Sequence, residues 1–273
     1  LLSLFMHFDD FIRAACARRD LDWRKYRRAS QRRVLERIRQ LGLGGYQDYL
    51  SYLERHPAES GQLPNLLRVT LSRFFRERAC WEELAGEALP ELLAGKADPV
   101  LRVLSLGCCG GEEPYTLALL WKEELEPNFP GYQLKLTAVD LDTACLARAG
   151  EALYQSKTLR EVPEGIKRRW FEEEPGGWRL DPVIRRLVAF SQLDLLEDSW
   201  PRGWDLIICR YLFFTYFTGE RQLERLKRIQ QALHVPGLLM IGRKESIDLD
   251  ASSEFEQVCQ SGCLFKHCFN SYE

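Results

Sequence analysis

The sequence predicts an α/β fold, a parallel sheet covered by helices on both faces, carried behind a small helical domain. Three observations lead there. From residue 100 onward, short apolar runs alternate with stretches of helical periodicity, the pattern of βα units building a parallel sheet. The first run ends in the turn Gly107-Cys108-Cys109-Gly110-Gly111, which passes straight into a helical stretch. Residues 9 to 95, by contrast, show helical spacing and no strand pattern.

In chain order, Asp22-Trp23 can open a helix in which Tyr26, Val34, Leu35, Ile38 and Leu41 form an apolar stripe and arginines fill the other face, until Gly42 and Gly44-Gly45 end it. A second helix is expected over 46–55, stopped by Pro57, and a third over 80–93, with Trp81, Leu84, Leu89, Leu92 and Leu93 apolar. The small and polar stretch 94–99 marks a boundary, so a helical domain is expected over 9–95. Beyond it, strands are expected at 101–106, 134–139, 188–190, 204–209 and 238–241, with helices at 112–121, 143–149 and 221–233. Residues 154–187 break the rhythm with Pro163, Pro175 and Gly176-Gly177, as an inserted subdomain would within a second domain over 96–250. Residues 251–273 are left as a C-terminal extension.

Composition narrows the class. With 273 residues, 45% hydrophobic and 29% charged, the chain can bury a sizeable core and is neither collagen-like nor broadly disordered. Its apolar runs, such as 206–209 and 238–241, fall far short of the roughly 20 residues that cross a bilayer, so no membrane insertion is expected. The apolar stretch 1–8 has no basic flank and reaches Asp9 and Asp10 at once, unlike a secretory leader, and a cytoplasmic location follows as the expectation. The nine cysteines are scattered and odd in number, which favours reduced, buried thiols. The one cluster, Cys259, Cys263, His267 and Cys268, lacks the paired C-x2-C spacing of structural zinc sites and fits two faces of a terminal strand or helix, so no metal is expected.

A glycine turn at the carboxyl end of a first strand lets a ligand approach the backbone N–H groups of a helix N-terminus. The spacing Gly107-x-Cys109-x-Gly111 is not the dinucleotide fingerprint, and no lysine stands where a phosphate loop would need one. Asp140, ending the second strand some thirty residues later, is placed to accept hydrogen bonds from ribose hydroxyls, and the pair suggests an adenosine ligand. The same carboxylate could instead cap the helix that starts at Thr143.

The stretches 69–77 (Val-Thr-Leu-Ser-Arg-Phe-Phe-Arg-Glu), 104–118 (Leu-Ser-Leu-Gly-Cys-Cys-Gly-Gly-Glu-Glu-Pro-Tyr-Thr-Leu-Ala) and 204–210 (Trp-Asp-Leu-Ile-Ile-Cys-Arg) resemble, in this order, the CheR-type chemotaxis receptor glutamate methyltransferases. The resemblance covers about residues 9 to 247. It implies a class I methyltransferase (Rossmann-like) sheet with a helical N-terminal domain and a small β insertion, S-adenosylmethionine as methyl donor, and esterification of glutamate carboxylates on a protein. It implies that Thr70, Ser72 and Arg76 reach the donor, with Arg76 nearest the transfer site, and that Gly107, Glu112 and Asp140 line its amino-acid and ribose portions. Asp194-Leu195 stands where the family has Asn-Leu, and a carboxylate at Asp194 can still accept from an adenine amino group. Tyr211, followed by Leu212, replaces the family's Asn after Cys-Arg and puts a bulky phenol beside the expected donor. The run 212–217 carries one residue more than usual, and Gly242-Arg243-Lys244-Glu245-Ser246 replaces Gly-His-Ser-Glu, departures that leave two alternatives open: a methyltransferase of the same fold acting on a small molecule, or a binding protein whose donor site has decayed at Tyr211.

The chemistry so implied needs no base, because an acceptor carboxylate already holds its attacking electron pair. Arg76 could hold the acceptor carboxylate, the donor's own, or a structural partner, and Tyr216 could line the acceptor pocket or simply pack with Phe213 and Phe217. Ten Lys or Arg crowd residues 18–39. This basic helix over 23–39 reads as a solvated face, as a surface for an acidic protein substrate, or as a nucleic-acid contact, and the resemblance favours the protein; nucleic acid finds no aromatic or zinc-spacing support.

Overall fold

The computed structural model describes residues 6–17, 21, 28–67, 72–247 and 254–268. The chain divides into two compact units, Leu1–Thr70 with Thr215–Gln222, and Leu71–Phe214 with Leu223–Glu273.

The first unit is helical. Helices α1 (Phe8–Ala17), α2 (Arg28–Gln40), α3 (Tyr46–Arg55) and α4 (Pro57–Leu67) each turn one apolar stripe inward, burying Phe11, Ile12, Val34, Ile38, Tyr49, Leu53, Leu63 and Leu67. Phe11 stacks on Tyr46 and Tyr49. The expected helix 46–55 is found with those bounds, whereas the opening expected at 22–23 lies outside the described residues. The arginines of α2 do not all face away from the core. Arg37 makes a bidentate pair with Glu59 of α4, at 2.9 and 2.6 Å, and Arg33 Nε donates to the Leu66 carbonyl at 2.8 Å. Arg37, helped by the Tyr49 hydroxyl at 2.8 Å, outweighs burial and holds the Glu59 carboxyl below the usual range.

The second unit opens with α5 (Arg78–Glu83), a wider turn over Leu84–Ala88 and α6 (Leu89–Ala94). The boundary expected near residue 95 thus falls inside this unit, because Trp81, Leu84, Leu89, Leu92 and Leu93 pack into the same apolar cluster as strand residues Leu101 and Val103. The sheet begins with β1 (Val100–Leu106), followed by α7 (Glu112–Leu120), another wide turn and the short α8 (Glu126–Asn128), then β2 (Gln133–Asp140) and α9 (Thr143–Glu151). Helix α7 is buried on every side, which its largely apolar stretch from Tyr115 to Leu120 allows, the Thr116 hydroxyl being satisfied by the Glu112 carbonyl at 2.7 Å. The insertion follows as β3 (Leu153–Tyr154), α10 (Glu164–Trp170), β4 (Phe171–Glu174), β5 (Gly177–Leu180) and α11 (Pro182–Arg185), its strands forming a separate three-stranded sheet in the order β3-β5-β4. The main sheet resumes with β6 (Val188–Gln192) and β7 (Trp204–Ile208); after α12 (Phe213–Tyr216) and α13 (Gly219–Ala232) come β8 (Leu233–Met240), β9 (Phe255–Gln257) and β10 (Leu264–His267).

The seven main strands lie in the order β6-β2-β1-β7-β8-β10-β9. All neighbours from β6 to β8 run parallel, while β10 runs antiparallel to both β8 and β9. The sheet is therefore mostly parallel with one reversed strand, and that strand belongs to the stretch 251–273 expected as an extension. The chain winds outward from β1 through β2 to β6 and then restarts at β7 on the other side of β1. This order reversal opens a crevice at the carboxyl ends of β1 and β7, the place where open α/β sheets bind ligands.

Candidate active site

At that crevice the β1 strand gives way to the glycine turn. Gly107 and Gly111 sit at φ +66° and +86°, a backbone region open to glycine at little cost. Neither position has room for a side chain, since a Cβ on Gly107 would stand 3.2 Å from Leu212 and one on Gly111 within 3.1 Å of Tyr115, Ala149 and Phe190. The turn is pinned from β2: Asp140, buried, accepts from the amide of Cys109 at 2.9 Å and from that of Asp142 at 2.9 Å. Asp142, not Asp140, caps α9, with its Oδ1 accepting from Ala144 and Cys145 at 2.9 and 3.3 Å. The capping alternative for Asp140 is thereby overturned.

Glu112, the first residue of α7, is buried with its Oε2 lacking any hydrogen-bond partner. Burial pushes its carboxyl up to about 7, because the charged form loses its water and receives little in return. Ser72 Oγ is likewise buried and unpartnered. An unpaired carboxylate oxygen beside a helix N-terminus is a costly feature unless a cationic or hydrogen-bond-donating ligand completes it. Leu193 N donates to the Asp140 carbonyl at 3.3 Å, so β6 delivers Asp194 and Leu195 just past the end of β2; the Leu195 carbonyl accepts from Arg228 at 3.1 Å and the Asp194 Oδ1 from Leu196 N at 2.9 Å.

The other wall is a charge network. Phe75 and Glu77 adopt φ of +51° and +61°, a strained pairing costing roughly 1–2 kcal/mol each. Tethers on both sides hold it: Phe75 N donates to Thr116 Oγ1 of α7 at 3.1 Å, and the Arg76 carbonyl accepts from Trp81 Nε1 at 3.0 Å and Arg210 Nη2 at 2.8 Å. Arg210, fully buried, also bridges Glu113 at 3.0 Å and Glu77 at 2.8 Å. Burial works against each of these charges, yet Glu113 and Glu77 keep the Arg210 guanidinium charged. For Glu77, burial is outweighed by the Tyr211 hydroxyl, the Arg243 amide and Arg210, which hold its carboxyl below the usual range. Tyr211, at φ +54°, turns its phenol onto Glu77, lies under the Arg76 guanidinium at 3.8 Å, and gives its amide to Glu245 at 2.7 Å. Gly242 makes the space, because a Cβ there would come within 2.7 Å of the Tyr211 ring.

The structure thus brings together Gly107 with Leu212, Glu112 with the glycine turn, Asp140 with Cys109, and Arg76 with Tyr211. Tyr216 is half-buried on α12 and falls in the first compact unit, and Thr70 lies outside the described residues. Glu77, Glu113, Arg210 and Glu245 escaped the sequence analysis as partners. Three of them sit inside the motif stretches quoted for the resemblance, but nothing local couples residues 97 to 134 positions apart.

A mostly parallel sheet with a glycine turn after β1, an acid ending β2 and one reversed strand near the far edge defines a class I S-adenosylmethionine-dependent methyltransferase. Comparison with known proteins makes this specific: residues 70–262 match the CheR methyltransferase SAM-binding domain and residues 6–67 the CheR methyltransferase all-alpha domain. The chain belongs to the CheR methyltransferase family. It is 31% identical over 217 residues to the chemotaxis protein methyltransferase of Listeria monocytogenes, covering 80% of each chain. It is 33% identical over 220 residues to chemotaxis protein methyltransferase 2 of Pseudomonas aeruginosa, covering 78% of this chain and 76% of that one.

Proposed function

We propose that this methyltransferase esterifies glutamate carboxylates on the cytoplasmic part of a chemoreceptor; the relatives are named as methyltransferases of chemotaxis, and the glutamate acceptor rests on the sequence resemblance. The observation that carries the reading is the buried, unpartnered Glu112 Oε2 at the mouth of the glycine turn, which suits the ammonium group of a bound S-adenosylmethionine. The residues present fit that donor. Glu112 and Ser72 would hold its amino-acid portion, Gly107 and Leu212 would pack against it, Asp140 would receive the ribose, and Asp194 with Leu195 would border the adenine. Thr70 joins this set on the resemblance alone.

When bound, S-adenosylmethionine supplies a methyl group on a sulfonium sulfur, the electrophile for the acceptor oxygen. The chain's own work is alignment and dehydration. Arg76 makes no ion pair among the described residues and rests on the Tyr211 face, so its guanidinium is available to orient the acceptor carboxylate by a charge-assisted pair. Tyr211 and Glu77 act as positioning residues for Arg76, and Tyr216 is assigned to the acceptor pocket. The basic segment 23–39 is assigned to an acidic protein substrate; its described exposed cations are Arg32 and Arg39. Among the described residues no helix is long and apolar enough to cross a membrane.

The test combines calorimetry and labelling. Micromolar binding of S-adenosylmethionine and S-adenosylhomocysteine, lost in Asp140→Ala, is expected, together with transfer of a tritiated methyl group to receptor cytoplasmic fragments that base releases as methanol. Donor binding with labelling of small molecules only would overturn the receptor assignment, and absence of donor binding would overturn the site.

A further inference from the structure

We propose that Glu83, Cys259 and Cys263 form a binding site for a divalent, thiophilic cation of the zinc class, joining the β9–β10 turn to the end of α5. The inference is independent of the donor and acceptor assignments. Of the four terminal residues grouped in the sequence, only these two cysteines come together; the His267 ring instead faces the Glu254 carboxylate and the His234 carbonyl, both at 3.2 Å. Their spacing, Cys259-Gln260-Ser261-Gly262-Cys263, falls within the two-to-four-residue separation that metal-binding cysteine pairs use. The hairpin is closed by Val258 N on the Leu264 carbonyl at 3.0 Å, and Gly262 takes φ +74° to return the second cysteine toward the first.

Geometry supports the site at three points. The two sulfurs stand 4.0 Å apart, too far for a disulfide and close to the roughly 3.8 Å that two thiolates keep on a tetrahedral ion with bonds of about 2.3 Å. Cys259 Sγ receives the amides of Cys263 at 3.2 Å and Leu264 at 3.0 Å. Two backbone N–H groups aimed at one sulfur supply the outer hydrogen bonds that hold a metal ligand in place. Glu83 ends α5 just before the wide turn, and one of its carboxylate oxygens lies within 4.8 Å of both sulfurs.

The three donors also converge on one point. The Ser261 hydroxyl bonds the Glu83 carboxylate while lying 2.8 Å from Cys263 Sγ and 3.4 Å from Cys259 Sγ. An ion takes that point once the Ser261 side chain rotates away, and the Ser261 amide, 3.2 Å from Glu83 Oε1, keeps the carboxylate oriented. Two sulfurs and one carboxylate select zinc-class ions over magnesium or calcium, and the fourth position falls to a water or to the Cys80 thiol, which hydrogen-bonds with Cys263 and Ser261 beside the group.

The experiment is elemental analysis of the full chain purified in reductant, followed by chelator stripping and titration with Co(II) and then Zn(II). One equivalent per chain is expected, with thiolate-to-cobalt charge-transfer absorption that Zn(II) abolishes. Cys259→Ser and Cys263→Ser should each weaken the metal by about 100-fold or more, and Glu83→Gln by at least about tenfold. Ser261→Ala should retain one equivalent, and Cys268→Ser, a thiol of the same terminus outside the group, should bind like the unmodified chain; circular dichroism verifies that each variant is folded. A reduced chain giving no charge-transfer band at micromolar Co(II), or Cys259→Ser binding as tightly as the unmodified chain, overturns the proposal and leaves Glu83 and Ser261 as a hydrogen-bonded clasp.

Discussion

At the scale of single residues, Glu112 carries an unusual pH signature. Its folded carboxyl titrates near 7 against an ordinary value of 4.5. Between those values the folded chain holds a proton that the unfolded chain has released, so this group's contribution to stability falls as pH rises through the window. Glu112→Gln should therefore raise the unfolding free energy of the ligand-free chain above pH 7, by on the order of 1–3 kcal/mol in urea titrations, while weakening donor binding. In the unmodified chain donor affinity should increase from pH 6 to pH 8, because the ammonium group needs the ionised carboxylate; a flat calorimetric profile would contradict this. Tyr211 is a second case. Tyr211→Phe keeps the ring under Arg76 but removes the hydroxyl from Glu77, which retains Arg210 and the Arg243 amide, so a loss of roughly 1 kcal/mol is expected in chemical denaturation.

At the scale of elements, α9 shows how a local rule and a long-range one share neighbouring acids. Asp142 caps the helix, so Asp142→Ala should cost about 1 kcal/mol in thermal or urea unfolding. Asp140→Ala should instead release the Cys109 amide and distort the glycine turn, which makes the two substitutions separable by donor affinity. Most strands of the main sheet were legible because strands buried on both faces read as continuous apolar runs: Val100–Leu106 and Trp204–Ile208 extend the expected runs by a residue or lose one. Helix α4 and strand β10 were not. Pro57, Gly61 and Pro64 obscure the first, although Pro57 at its start needs no intrahelical donor. The second is four residues long, and its hydrogen bonds come from β8 and β9, so nothing in its own stretch announces it.

At the scale of the molecule, a near-neutral net charge of −2 coexists with a cationic N-terminal segment, and the structure divides those cations by role. Arg32 and Arg39 are exposed, whereas Arg37 holds the buried Glu59. The double variant Arg32→Glu with Arg39→Glu should lower the unfolding midpoint only slightly, through the exposed pair Arg39 makes with Glu36, and slow association with an acidic receptor fragment by on the order of tenfold at low salt, the difference fading at high salt in stopped-flow measurements. Arg37→Ala should do the reverse, costing roughly 2–4 kcal/mol of stability by stranding Glu59. The sequence alone determined the alternation of strands and helices, the glycine turn, the acids at Glu112 and Asp140 and the odd residue at Tyr211, because each depends on periodicity, on a turn, or on a motif a few residues long. Tertiary structure decided that residues 78–94 join the sheet unit, that β10 runs backward, that Tyr211 turns onto Glu77, and that Glu83 meets two cysteines from the far end of the chain. Those outcomes depend on which segments become neighbours in the fold, from the nearby pairing of β10 with β8 to contacts 134 residues apart between Glu77 and Tyr211 and 178 apart between Glu83 and Ser261, and burial makes the resulting charge pairs and thiol contacts count only once that neighbourhood exists.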